Sequence, residues 1–426
     1  MKDLKIFTDD IEQEAINQIN ELLKQEAFKD SKVRIMPDVH AGKGCVIGFT
    51  GDLGNKVIPN IVGVDIGCGM LCVELGNIDL DLERLDKIIS EYVPSGMNVH
   101  ENQRYKFLEL EQLYCYKLLK NKDNWLEKSM GTLGGGNHFI EIDVDEDDNK
   151  YLVIHTGSRN LGKQVAEIYQ EKAIKYCSYE DEMKEEKQKL IKEYKEQHRE
   201  KEIQDKLIEI SKKYEGKTKL PKDLCYLEKD LSSQYLYDMR ICQEFAKDNR
   251  LSIAKQILCN YFELPYYEGY KSVRLREKAI SSCDWYTQDM IEKDFWYFET
   301  IHNYISFEDN IVRKGAISAK TGEMVLIPMN MRDGCIIGIG KGNDDWNCSA
   351  PHGAGRIMSR IKAKETFNLE EYKESMKNIY TTSVNENTID EAPFVYKPMQ
   401  EIINNIEDTV DIIKIIKPIY NFKASD

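Results

Sequence analysis

The spacing of hydrophobic positions changes character several times along this chain. Between residues 8 and 25, Ile11, Ile16, Ile19, Leu22 and Leu23 fall on one side of a helix, and Thr8 or Asp9 is placed to cap it. From 33 to 75 the texture becomes short apolar runs broken by glycine: VRIMP, GCVIGF, IVGVDIG and MLCVEL. Such runs predict buried strands joined by tight turns. KYLVIHTG (150–157) predicts another buried strand, with His155 at its end. Residues 180–250 switch to helical spacing. A mostly charged run carries Leu190, Tyr194, Ile203, Leu207 and Ile210, and Gly216 and Pro221 break it. A second helix then sets Leu227, Leu231, Tyr235, Met239, Cys242 and Ala246 on one face. The two predict a helical hairpin packed on, or projecting from, a sheet core. Mixed charge of this kind is more often a solvated face than an RNA- or partner-binding arm. Strand texture returns at 311–340 in IVRKGAI, GEMVLIP and GCIIGIG, and VDIIKIIKPIYNF (410–422) predicts a last buried strand or short helix. Glycine-flanked motifs lie on both sides of the helical stretch and can meet only if the two halves fold together. The chain therefore reads as one α+β domain over 1–426, with a mixed β-sheet core and a charged helical-hairpin insertion at about 165–263.

Composition narrows the classes. A hydrophobic content of 41% over 426 residues supports a sizeable core and argues against disorder. The net charge of −15 excludes a broadly basic surface, so any nucleic acid must be held in a local basic cleft. The charged N-terminal stretch shows no signal peptide, and no run approaches the ~18 apolar residues of a membrane span. The eleven cysteines form no Cys-x-x-Cys pair, which excludes zinc-ribbon spacing and predicts reduced thiols in cytoplasm.

The histidines carry the chemistry. Five of seven sit in short stretches that are mostly glycine-rich: PDVHAGKG (37–44), GGGNHF (134–139), HTGSRNLG (155–162), HNYISFED with His302, and SAPHGAGR (349–356). A further stretch, VGVDIGCGM (62–70), offers Asp65 and Cys68. Glycine beside a ligand lets backbone approach a metal or phosphate closely. Asp65, Cys68, His138, His155 and His302 make a mixed donor set that suits Mn²⁺, Fe²⁺, Co²⁺ or Zn²⁺ better than Mg²⁺ or Ca²⁺. Five donors exceed one four-coordinate ion, so two metals sharing the Cys68 sulfur fit, and such pairs act on phosphoryl groups. Taken singly, each residue has a duller reading: Cys68 as a small hydrophobe, a histidine as hydrogen-bonded structure, Asp65 as a turn residue. His352, between Pro351 and Gly353, can attack phosphorus if a partner such as Asp38 fixes its tautomer; a plain loop histidine is the alternative. No Walker A or Rossmann glycine pattern is present. The residues by themselves lead to metal-dependent phosphoryl chemistry with the nucleotide unnamed.

In this order, PDVHAGKG, VGVDIGCGM, GGGNHF, HTGSRN, YLYDMRICQEFAKDNR (235–250), HNY, RKGA and HGAGR resemble the RtcB family of RNA-splicing ligases, from about residue 36 to Lys423. The resemblance implies a GTP- and Mn²⁺-dependent ligase. It would join RNA ends bearing a 3′-phosphate or 2′,3′-cyclic phosphate to 5′-hydroxyl ends, in tRNA splicing or RNA repair. His352 would carry GMP and pass it to the RNA 3′-phosphate, and Asp38 would orient His352. Asp65, Cys68 and His138 would hold one Mn²⁺, and Cys68, His155 and His302 the other. Asn137, His138, Phe139, Glu141, His352, Gly353, Ala354, Gly355 and Lys423 would surround the guanylate, and Arg159 and Arg356 would hold phosphates. A monomer is expected, and the resemblance leaves room for an archease-type activator. One departure is PMNMRDG (328–334), where many family members carry small residues; Arg332 and Asp333 would alter nucleotide contacts there. Two further readings stand beside the ligase: a metal-dependent RNA-end phosphatase or cyclic phosphodiesterase, and a non-catalytic RNA-end binder.

Overall fold

A computed structural model describes residues 3–264, 272–278 and 291–424. The strands are β1 Leu4–Ile6, β2 Val33–His40, β3 Ile47–Asp52, β4 Gly69–Gly76, β5 Phe139–Val144, β6 Lys150–Thr156, β7 Ser272–Glu277 and β8 Ile291–Ile301. They continue as β9 Asn303–Ile305, β10 Ile311–Lys314, β11 Ala316–Ser318, β12 Met324–Asn330, β13 Gly334–Gly340, β14 Ser349–Pro351 and β15 Val410–Lys423. The helices are α1 Gln13–Leu23, α2 Pro59–Val62, α3 Leu82–Tyr92, α4 Arg159–Tyr176, α5 Glu180–Glu196, α6 Ile203–Tyr214, α7 Lys229–Tyr261, α8 Arg360–Thr366, α9 Leu369–Ser375 and α10 Met399–Ile406.

A mixed eight-stranded sheet, ordered β12-β13-β15-β5-β6-β4-β8-β7, forms the centre. A five-stranded sheet, β1-β2-β3-β10-β9, and the pair β11-β14 complete the strands. The expected α+β class with a mixed sheet core is what the chain adopts, in a single domain. Leu71, Val73, Leu152, Ile154, Ile140 and Ile142 pack with Ile253, Ile257 and Leu258 of α7, all nearly inaccessible to water. A second cluster sets Leu161, Val165 and Tyr169 of α4 against Tyr235, Met239 and Phe245 of α7. Truncating one such fully buried branched side chain to alanine costs about 2–5 kcal/mol. Among the described residues no helix is long and apolar enough to cross a membrane.

Three local expectations are corrected. Helix α1 starts at Gln13 after Glu12, not behind Thr8 or Asp9. The Thr8 hydroxyl is already taken, accepting the Asp10 N–H at 3.1 Å. The IVGVDIG run is not a strand: Pro59 opens the short helix α2, and Gly63 ends it at φ 98°. The charged run at 180–214 is not one arm of a hairpin with the helix that follows. It folds back on itself as α5 and α6, where Lys213 and Tyr214 both meet Glu186. Helix α5 buries no residue and α6 buries only Ile210. Helix α7 buries fifteen of its 33 residues and lies against α3, α4 and the large sheet. A helix with that much apolar surface is stable only inside. The 410–422 run resolves to a strand, β15, whose ladder breaks register between Pro418 and Tyr420.

Candidate metal and nucleotide site

The ends of β4, β6 and β8 and the loops beside them bring the predicted donors together. Asp65 and Cys68 precede β4, His138 precedes β5, His155 is on β6, and His302 follows β8. Two triads converge: Asp65, Cys68 and His138, and Cys68, His155 and His302, with Cys68 common to both. The Cys68 Sγ lies 3.3 Å from His155 Nε2 and 3.6 Å from His138 Nε2. His138 Nε2 is 3.1 Å from Asp65 Oδ2, and His155 Nε2 is 3.4 Å from His302 Nε2.

The tautomers say what this cluster can bind. The Nδ1 of His138 donates to the Leu133 carbonyl at 2.8 Å, and that of His155 donates to the Asn137 carbonyl at 3.2 Å. Both Nε2 atoms therefore turn a lone pair toward the sulfur and the carboxylate. Burial drives His155 and His302 well below the usual imidazole range, so neither carries a charge to offset that density. Burial and Asp65 push the Cys68 thiol well up, and an ion at that sulfur would reverse the balance. Lone pairs, carboxylate and sulfur facing one another suit a cation, and the donor set fits one or two divalent metals of the manganese-to-zinc group.

A buried framework fixes these loops. Arg250 on α7 donates to the carbonyls of Gly67 and Thr156, each at 2.9 Å, and pairs with Glu299 on β8. Beside it, Asn249 accepts from the Gly131 and Thr132 amides and donates to the Gly157 carbonyl. One helical turn thus ties the loops that hold Asp65, Cys68, His138 and His155. Gly134, at φ 87°, lets Arg159 close over the site; a Cβ there would collide with the guanidinium and the His138 ring.

His352 joins this cluster from β14. Its Nδ1 lies 2.6 Å from Asp38 Oδ2 on β2, and its amide reaches the same oxygen at 3.2 Å. Asp38 is fully buried, and its oxygen at the ring nitrogen sets the Nδ1–H tautomer. That leaves Nε2 as the ring's free nucleophilic nitrogen. The His352 and His302 rings are 4.8 Å apart, centroid to centroid. Gly355, at φ 73°, packs so tightly on Asp38 that no side chain fits there.

His352 opens onto a cavity of about 250 Å³, lined by Asn137, Phe139, Glu141, His155, His302, Gly353, Ala354, Gly355, Arg356 and Lys423. His138 is not among these lining residues and stands in the ligand cluster with Asp65 and Cys68. The cavity has further walls: His40 of PDVHAGKG and Asn330 of PMNMRDG, to which no role was assigned, and Arg360, Glu391 and Tyr396, which lie outside every motif. Glu391 is their hub. It meets Lys423 Nζ at 2.5 Å, Arg360 at 2.5 Å, Arg356 at 3.3 Å and the Tyr396 hydroxyl at 2.6 Å. Arg356 also donates to the carbonyls of Asp390 and Met358, so its guanidinium is anchored to this wall. Arg159 is anchored likewise, donating to Thr132 Oγ1 and the Gly96 carbonyl while lying over the Trp125 ring. In PMNMRDG, Met329, Asn330 and Met331 line the cavity, whereas Arg332 is exposed and pairs with Asp333 in the turn. A third convergence, Glu141, Asp143 and Cys335, is fully buried; burial raises both carboxyls, and neutral groups need no counter-ion.

Comparison with known proteins meets this geometry. The family model described as tRNA-splicing ligase RtcB matches residues 24–129 and 115–424. The RNA-splicing ligase RtcB of Escherichia coli strain K12 is 30% identical over 416 aligned residues, 92% of this chain and 90% of the relative. The tRNA-splicing ligase RtcB of Nanoarchaeum equitans is 25% identical, covering 90% of this chain and 85% of its own length. That of Aeropyrum pernix is also 25% identical, over 86% and 82%. With the family model spanning nearly the whole chain and a relative at this identity along most of its length, the protein belongs to the RtcB family.

Proposed function

We propose that this protein is an RNA ligase that joins 3′-phosphate or 2′,3′-cyclic phosphate ends to 5′-hydroxyl ends, with GTP as co-substrate and a pair of Mn²⁺ ions. The relatives are named as RNA- and tRNA-splicing ligases, which supports the class of reaction. The observation that carries the finer reading is His352. Its Nδ1 is locked to buried Asp38 at 2.6 Å, and its other nitrogen is free beside the ligand cluster. The His352 Nε2 attacks the α-phosphorus of GTP, the P–O bond to pyrophosphate breaks, and GMP stays on the ring. The RNA 3′-phosphate oxygen then displaces His352, and the activated end accepts the 5′-hydroxyl as GMP leaves. A cyclic phosphate is first opened by water. Asp65, Cys68 and His138 would hold one ion, and Cys68, His155 and His302 the other. Bound there, the metals would withdraw charge from phosphoryl oxygens. Asp38 stabilises the charge that develops on the His352 ring. Phe139 and Lys423 also line the cavity, the Lys423 Nζ 5.7 Å from the Phe139 ring, and would contact the base.

The test is to incubate the purified protein with Mn²⁺ and GTP radiolabelled on its α-phosphate. An acid-labile, base-stable label on the protein, absent from His352→Ala, is the expected result. RNA ends that lose phosphate without any joining would favour a phosphatase. Binding without label or turnover would leave an RNA-end-binding protein.

A further inference from the structure

Cys177 closes the C-terminal end of α4, and Cys225 lies just ahead of α7. The α5–α6 excursion separates them in sequence, and backbone contacts at its neck return one to the other. Ser178 bridges to Thr218, the Lys219 amide donates to the Cys177 carbonyl at 3.1 Å, and Leu227 bridges to Val57. The Cys177 sulfur lies against the peptide next to Cys225. It accepts the Tyr226 N–H at 3.4 Å and lies 3.6 Å from the Tyr226 carbonyl. That contact sets the Cys177 sulfur one peptide away from Cys225, whose own thiol donates to the Pro221 carbonyl at 3.6 Å. Cys177 also edges a surface groove with Lys172, Lys175, Lys219 and Tyr226, whereas Cys225 is sealed behind it.

The chemistry of the two sulfurs is unequal. The neighbouring Cys225 side chain brings the Cys177 thiol down to about 7, against its burial, with help from the Tyr226 amide and Lys219. The same contact and burial drive Cys225 upward. Among the described cysteines Cys177 alone is lowered; those of the metal cluster and the core are all raised. A thiolate at the edge of a groove next to a sealed thiol is the arrangement of an attacking and a resolving cysteine.

We propose that Cys177 and Cys225 are an oxidant-responsive pair that closes to a disulfide across the neck of the α5–α6 excursion. The oxidant is a hydroperoxide. The Cys177 thiolate attacks its terminal oxygen, the O–O bond breaks, and the departing oxygen takes a proton, leaving a sulfenic acid. The Cys225 thiol attacks that sulfur, the S–O bond breaks, and water leaves with the thiol proton. Two thiols are oxidised and one hydroperoxide is reduced. The disulfide joins α4, which begins at Arg159 beside the metal cluster, to the segment leading into α7, which carries Asn249 and Arg250.

The test is hydrogen peroxide on the reduced full-length protein, followed by differential alkylation and peptide mapping without reductant. The expected product is a cross-linked Cys177–Cys225 peptide with two thiols lost per chain, reversed by a dithiol. Cys225→Ser is expected to stop at a sulfenic acid on Cys177 that a 1,3-dione captures, and Cys177→Ser to leave Cys225 unmodified. Both cysteines remaining alkylatable at a peroxide dose that fully oxidises glutathione would overturn the proposal. So would a cross-link from Cys177 to any other cysteine. The assay reads thiols alone, so its outcome is independent of the ligase reading.

Discussion

His352 and Asp38 stand 314 positions apart in sequence and share one hydrogen bond. Asp38→Asn keeps the shape but offers a donor where an acceptor stood, so the ring must switch tautomer. Protein guanylylation is expected to fall by ~10²–10⁴-fold, read as the initial rate of label transfer from GTP. Cys68 contributes one sulfur to both triads. In Cys68→Ala the gain in melting temperature that Mn²⁺ gives the wild type is expected to vanish together with labelling. In the wild type that gain corresponds to about 3 kcal/mol at a metal concentration of ~100 Kd. A variant that still binds two ions per chain would contradict the shared sulfur. These residues were legible because histidine, cysteine and aspartate beside glycine are uncommon in ordinary cores. Glu391, Arg360 and Tyr396 were not. They sit in stretches without glycine or histidine, among 74 acidic and 59 basic residues, and only packing sets Glu391 against Lys423. Asn249 and Arg250 were visible as part of a family-like helix, but their grip on the segments at Gly67, Gly131–Thr132 and Thr156–Gly157 is a tertiary fact.

At the scale of elements, strands were easier to read than helix partners. KYLVIHTG, GEMVLIP and GCIIGIG all became strands because their β-branched runs are short and bounded by glycine or turns. The pairing of helices failed because periodicity gives a helix its apolar face and does not say what covers it. Helix α7 found the sheet, and α5 found α6. Since α5 and α6 bury almost nothing and Ser178 already bridges to Thr218, the excursion is dispensable to the core. Replacing 180–215 by a short Gly/Ser turn is expected to leave guanylylation unchanged and the melting temperature close to wild type. An insoluble product would show that the core leans on the excursion after all.

For the whole molecule, the balance of −15 makes the cavity's cations stand out. Glu391 holds Lys423, Arg360 and Arg356 in one knot around its buried carboxylate. Burial acts to raise its carboxyl, yet the charges of Lys423 and Arg360 and its hydrogen bonds hold it at about 2, against an ordinary value of 4.5. Above pH 4.5 the carboxylate is ionised folded or unfolded, and its stabilisation is fully present. Between 4.5 and 2 the unfolded chain binds the proton first, so stability drains as pH falls. The full effect is on the order of 3 kcal/mol. Urea midpoints measured from pH 6 down to pH 3 are expected to fall in the wild type, and to fall less steeply in Glu391→Gln. Equal slopes would mean that other carboxylates govern the acid limb.

Strand β15 lies between β13 and β5 in the middle of the large sheet, and it brings Lys423 to the cavity. During synthesis β5 emerges from the ribosome well before its neighbour exists. Until β15 arrives, β5 keeps an open ladder edge, the kind of surface that draws in foreign chains. Newborn copies are therefore most in need of a chaperone late in translation, and a stalled ribosome would release a sticky species rather than a half-active one.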